Sequence, residues 1–172
     1  MRNIRFYFWY FLMVFTIVFV STSCKKDESF CITDYQTTIN AKSGEVNFKL
    51  PNGTTYKGQG ALPSVITIGE YSGQWQSIVT KQTPSGVGLE VELVHLFDDG
   101  KGNAFWTNDK AVFMPLDNTG ARFKLVNIFK IVGGTGGFEC AKGQFVNNGN
   151  VDFIAGTVTG VMTGNICGGC EK

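Results

Sequence analysis

Between Glu45 and Ile166 apolar and polar side chains alternate with a period of two, and turn-forming clusters break the alternation at short intervals. Residues two apart share a face only in extended chain, so the pattern argues against helices and predicts short antiparallel strands, each half buried. Val46, Phe48 and Leu50 oppose Glu45, Asn47 and Lys49 until Pro51-Asn52-Gly53 turns the chain. Strands follow over residues 56–62, 65–71 and 74–82, with Ser72-Gly73 before the last. After Pro84-Ser85-Gly86 the strongest strand sets Leu89, Val91, Leu93, His95 and Phe97 against Glu90, Glu92 and Asp98. Residues 103–114 form a strand whose two faces are both mixed, which leaves its facing open. Residues 121–132 put Phe123, Leu125, Phe129 and Ile131 inward, with Arg122, Lys124 and Lys130 outward. A strand over 138–147 is expected to close at Asn147-Asn148-Gly149-Asn150, since Asn and Gly tolerate left-handed backbone, with Val151, Phe153 and Ala155 in its partner.

Gly156, Gly160 and Gly164 recur at every fourth position, a spacing also used where membrane helices pack closely. The Thr and Val around them favour a strand. On a strand these glycines share a face with Val158, Met162 and Ile166, the small-and-large filling that suits a narrow barrel interior. The pattern therefore predicts an all-β fold, a barrel or sandwich, in one domain over residues 44–172. The chain's 172 residues carry 15 Lys and Arg against 14 Asp and Glu, with no basic stripe, which argues against a nucleic-acid partner.

The amino terminus reads as an export leader. Arg2 and Arg5 precede an uncharged run from Phe6 to Val20 that is too short to span a bilayer as a helix, and Ser21-Thr22-Ser23-Cys24 resembles a lipobox. Residues 1–23 are then a signal peptide, and Cys24 is the lipidated first residue that anchors the protein to a membrane. The alternative is an ordinary secretory leader with Cys24 incidental. Lys25-Lys26-Asp27-Glu28 resembles the surface-export signal of some outer-membrane lipoproteins, or is a solvated tether. The expected location is the outer membrane, and residues 24–43 read as lipidated Cys and linker.

One glycine-rich stretch, Gly133-Gly134-Thr135-Gly136-Gly137, joins two strands through a turn that demands backbone freedom. With Phe138, Ala141 and Gly143 it resembles the GGTGxFxxAxG signature of the allene oxide cyclase and dirigent-like barrel superfamily, and is most similar to its secreted bacterial branch. The resemblance is good from about Leu89 to Ile166. It implies a closed antiparallel barrel of about eight strands, over residues 44–172, with an internal cavity. The cavity residues of the plant cyclase and radical-steering members are not recognisably matched, so neither activity carries over.

His95, the single histidine, lies on an apolar face that a barrel turns inward; Asn127 interrupts another such face, and Asp109 shares one with Phe105, Ala111 and Phe113. Such a trio can polarise a carbonyl or epoxide oxygen or move a proton, or it can be a satisfied internal hydrogen-bond network. One histidine with scattered cysteines completes no familiar metal site, and no cofactor motif is present. Cys31, Cys140, Cys167 and Cys170 are disulfide candidates in an oxidising compartment, with three full pairings open. Three functional readings follow: a non-catalytic binding or interaction module for a small hydrophobic ligand, a cyclase- or isomerase-type enzyme working in the lumen, and a structural envelope protein. An open lumen holding His95 with a carboxylate favours the second, and a solidly packed one removes the first two.

Overall fold

The computed structural model describes residues 30–170; the leader, Cys24 and the charged tetrad Lys25-Lys26-Asp27-Glu28 lie outside them. Eight strands follow in order: β1 (Phe30–Lys49), β2 (Thr55–Ile68), β3 (Tyr71–Ser85), β4 (Gly88–Asp98), β5 (Ala104–Pro115), β6 (Arg122–Thr135), β7 (Lys142–Asp152) and β8 (Thr157–Gly168). Each pairs antiparallel with the next, and β1 with β8 closes the barrel. Closure leaves no free sheet edge along the ring, and period-two alternation sends every second side chain into the lumen. The face left open by the sequence is settled in β5: Phe105, Thr107, Asp109, Ala111 and Phe113 point inward and are buried.

The two ends of the barrel differ. At one end Phe138 is fully buried, with its ring centroid 4.6 Å from that of Tyr71, 5.2 Å from Phe105, 5.6 Å from Phe97 and 5.7 Å from Phe30. This aromatic plug contributes tilted and edge-on contacts beyond simple burial. The disulfides Cys31–Cys167 and Cys140–Cys170 clamp the same end. The opposite end, where β7 turns into β8 near Phe153 and Gly156, opens into a cavity.

The glycine stretch builds the plug. Gly133 and Gly134 belong to the end of β6, and a single 3-10 turn, Gly136–Phe138, swings Phe138 into the lumen. Of the four glycines only Gly136 takes a positive φ, +59°. The others serve close approach: a side chain on Gly133 would strike the Trp106 ring, on Gly134 the Phe138 carbonyl, and on Gly137 the Tyr71 hydroxyl.

Several expected boundaries move. The linker expected through Ser43 ends earlier, because β1 begins at Phe30 and buries Tyr35, Ile39 and Ala41. Its period is masked by a bulge between Ile32 and Tyr35, where Asp34 takes φ +52°, and by a run of polar side chains. Residues 56–62 and 65–68 belong to one strand, β2, interrupted by a register shift around Pro63, and the turn into β3 lies at Gly69 and Glu70, inside the stretch expected as strand, rather than at Ser72-Gly73. Asn147-Asn148-Gly149-Asn150 is mid-strand in β7, and the turn follows Asp152, whose carboxylate accepts the backbone N–H groups of Ile154 and Ala155. Asn147 turns inward there and Gly149 lies against Gly160 of β8, so these residues reflect packing rather than reversal.

β4 is buried on both faces. Val94 and Leu96 alternate with inward His95 and Phe97, and they join Val46 and Phe48 of β1, Leu50 just after it and Ile78 of β3 in a second apolar cluster. The distal β1–β2 hairpin thus covers the outside of the strands that carry the site.

Candidate functional site

Five neighbouring strands bring six polar side chains into the middle of the lumen: Ser77 on β3, His95 on β4, Thr107 and Asp109 on β5, Asn127 on β6 and Asn147 on β7, all buried. The register explains their meeting, since Ser77 pairs with His95, His95 with Thr107, and Asn127 with Asn147. The facing wall from β8, β1 and β2 is apolar, with Met162, Ile39 and Ile66. The lumen is therefore polar on one side and apolar on the other.

Asp109 is the anchor of the polar side. Its Oδ2 accepts the Thr107 hydroxyl at 2.5 Å and lies 2.6 Å from His95 Nδ1, while Oδ1 accepts the Lys130 backbone N–H at 2.6 Å. A carboxylate receiving these donors is an acceptor, and so Nδ1 is the protonated ring nitrogen of His95. The Thr107 hydroxyl oxygen, at 3.1 Å, is a second neighbour of Nδ1. The ring is fixed by Trp75, stacked at 5.3 Å, and by Phe129 at 4.2 Å. Nε2 has no hydrogen-bond partner among the described residues.

His95 lines a cavity of about 320 Å³ whose wall includes Ser77, Asn147, Trp75, Leu93, Leu125 and Val158 and whose outer margin includes Phe153. At the ~30 Å³ each water occupies in the liquid, that volume corresponds to roughly ten waters, the scale of a small organic ligand. Among the described residues no Lys, Arg, Asp or Glu lines it. Ser77 Oγ accepts the Ala61 N–H at 3.3 Å, and its own proton has no acceptor among the described residues. Asn147 Oδ1 and both polar atoms of Asn127 are buried without a partner among the described residues. Buried amides are ordinarily paired, so these atoms call for a partner from outside the chain.

Of the residues singled out in the sequence, the structure brings His95 and Asp109 into contact and places Asn127 in the same polar band without a bond to either. Ser77, Thr107, Asn147 and Trp75 complete the site and were not anticipated. Thr107 had a readable signal, since it stands two residues before Asp109 and must share its face. The four cysteines lie at the plug and away from the cavity, and Cys24 is outside the described residues. Among the described residues no three His, Cys, Asp or Glu side chains converge as metal ligands. Comparison of the chain with family models, with curated proteins and with solved structures found no match in any of the three.

Proposed function

We propose that the barrel is a receptor for a small, uncharged, largely apolar molecule, held in the lumen with its polar group toward Ser77, His95 and Asn147. One observation carries the reading: the lumen keeps a cavity of about 320 Å³ at one end although the other is packed solid with aromatic rings. An interior serving only to hold strands together closes such space, because emptied core volume is costly. The absence of charged lining favours a neutral ligand, since neither an anion nor a cation would find its counter-charge directly at the wall. Membership in the allene oxide cyclase and dirigent-like superfamily belongs to the same proposal, supported by the closed eight-stranded barrel and by the position of Gly133 to Gly143 between β6 and β7. So does anchoring through Cys24, for which the support is the leader pattern alone.

Titration of the full chain with indole tests the receptor. Methyl resonances of Leu93, Leu125 and Val158 at the cavity are expected to shift together, while Ile68 and Ile166 in the packed core stay fixed. Shifts scattered over the surface, or none, would remove the reading. The enzymatic alternative gains from a second observation, the carboxylate bonded to His95 at the cavity wall.

A further inference from the structure

The geometry points to a proton-transfer activity in the lumen, with His95 Nε2 as general base toward a neutral substrate that carries a C–H bond beside a carbonyl. This rests on the receptor reading and adds chemistry to the same cavity. Asp109 takes Nδ1–H, so a neutral imidazole keeps its free lone pair at Nε2, on a residue that lines the cavity. Lys130 N–H and the Thr107 hydroxyl hold the carboxylate, and Trp75 and Phe129 hold the ring, which leaves the base little freedom to turn away. Asp109 is the positioning residue, and His95 is the one that meets the substrate.

The step balances without any co-reactant. The C–H bond beside the carbonyl breaks, its proton passes to Nε2, and its electron pair moves into the carbon framework and places negative charge on the carbonyl oxygen. Ser77 stands directly across from His95, and its uncommitted hydroxyl proton is the available donor for that oxygen. The imidazolium formed lies between the Asp109 carboxylate and the enolate. Return of the proton to another carbon of the conjugated system yields an isomer and restores the site. The substrate class is thus a β,γ-unsaturated ketone, aldehyde or lactone, whose dienolate offers that second carbon, small enough for about 320 Å³.

Nitrobenzisoxazole is a probe that reports this base without knowledge of the natural substrate. Its ring C–H gives a proton to the base, the released pair completes the nitrile, and the N–O bond breaks to leave a coloured cyanonitrophenolate. Binding is followed independently by quenching of Trp75, at the cavity wall. The full chain is expected to bind the probe and turn it over, and His95→Gln to bind it with a rate lowered about 100-fold or more, the usual scale of general-base assistance. Added imidazole should restore rate to His95→Ala, and Asp109→Asn should lower kcat with little change in KM, each variant keeping its thermal midpoint close enough to remain folded. Quenching without turnover by the unsubstituted chain would overturn the base and leave the receptor standing. Absence of quenching and turnover alike would remove both. Full activity in a folded His95→Gln would assign the proton transfer elsewhere and overturn the proposal.

Discussion

Thr107 spends its one hydroxyl proton on Asp109, with both side chains buried in the lumen. Thr107→Val keeps the shape and removes the bond, so the carboxylate retains only His95 and the Lys130 amide. Hydrogen bonds to charged groups contribute about 1.5–3 kcal/mol each, and a loss of that size is expected from urea unfolding. An unchanged midpoint would mean that Asp109 does not depend on Thr107. The inward facing of His95 was legible, because unbroken alternation pins a strand's face, whereas that of Asp109 was not, since both faces of its strand mix apolar and polar residues. Asn147 was not. An Asn beside Asn-Gly carries the same local signal whether it turns a chain or lines a lumen, and only pairing with Asn127 across β6 and β7 distinguishes the two.

At the scale of elements, the plug and the true hairpin show how context decides between readings of the same residue types. Gly134 is extended within β6 and cannot carry a side chain because the Phe138 carbonyl approaches it, whereas Gly136 is needed for its positive φ. Different causes predict a shared outcome: Gly134→Val and Gly136→Val should each destabilise the barrel, the latter by ~1–3 kcal/mol from backbone strain alone. The relocated turn gives a sharper contrast. A Gly-Ser pair inserted between Ile154 and Ala155 lies in an exposed turn and should leave the fold intact, while the same pair between Asn148 and Gly149 breaks the ladder of β7 with both β6 and β8. Circular dichroism melts of the two insertions decide it; equal tolerance would return the turn to residues 147–150. The strand alternation was readable wherever the register ran true. It failed at the bulge in β1 and the shift at Pro63, since one extra residue inverts the facing of all that follow.

For the molecule as a whole, closure and a two-ended interior fix an orientation. The described chain enters at the plug, where Phe30 pairs with Gly168 and packs on Phe138, and the cavity opens at the far end. Only the number of strands and their antiparallel order were legible in advance. Which end closes depends on where Phe138 lands, a long-range fact that no local pattern encodes. The connections at the mouth expose Val87, Leu116, Phe153 and Ile154. If Cys24 is the anchored residue, the stretch to Phe30 reaches at most roughly 20 Å even fully extended, which holds the plug toward the bilayer and points the mouth away from it. Ligand would then arrive from the aqueous side. Ile154→Cys, at the mouth, is expected to react readily with a bulky polymer-linked maleimide in membranes whose anchored face is accessible, and Glu70→Cys, beside the plug, to react slowly; the Cys24→Ala protein, released into solution, should lose that difference. Equal labelling on the membrane would show that the barrel is not held by its plug end, and a difference that persisted in the released protein would trace it to local accessibility rather than to the anchor.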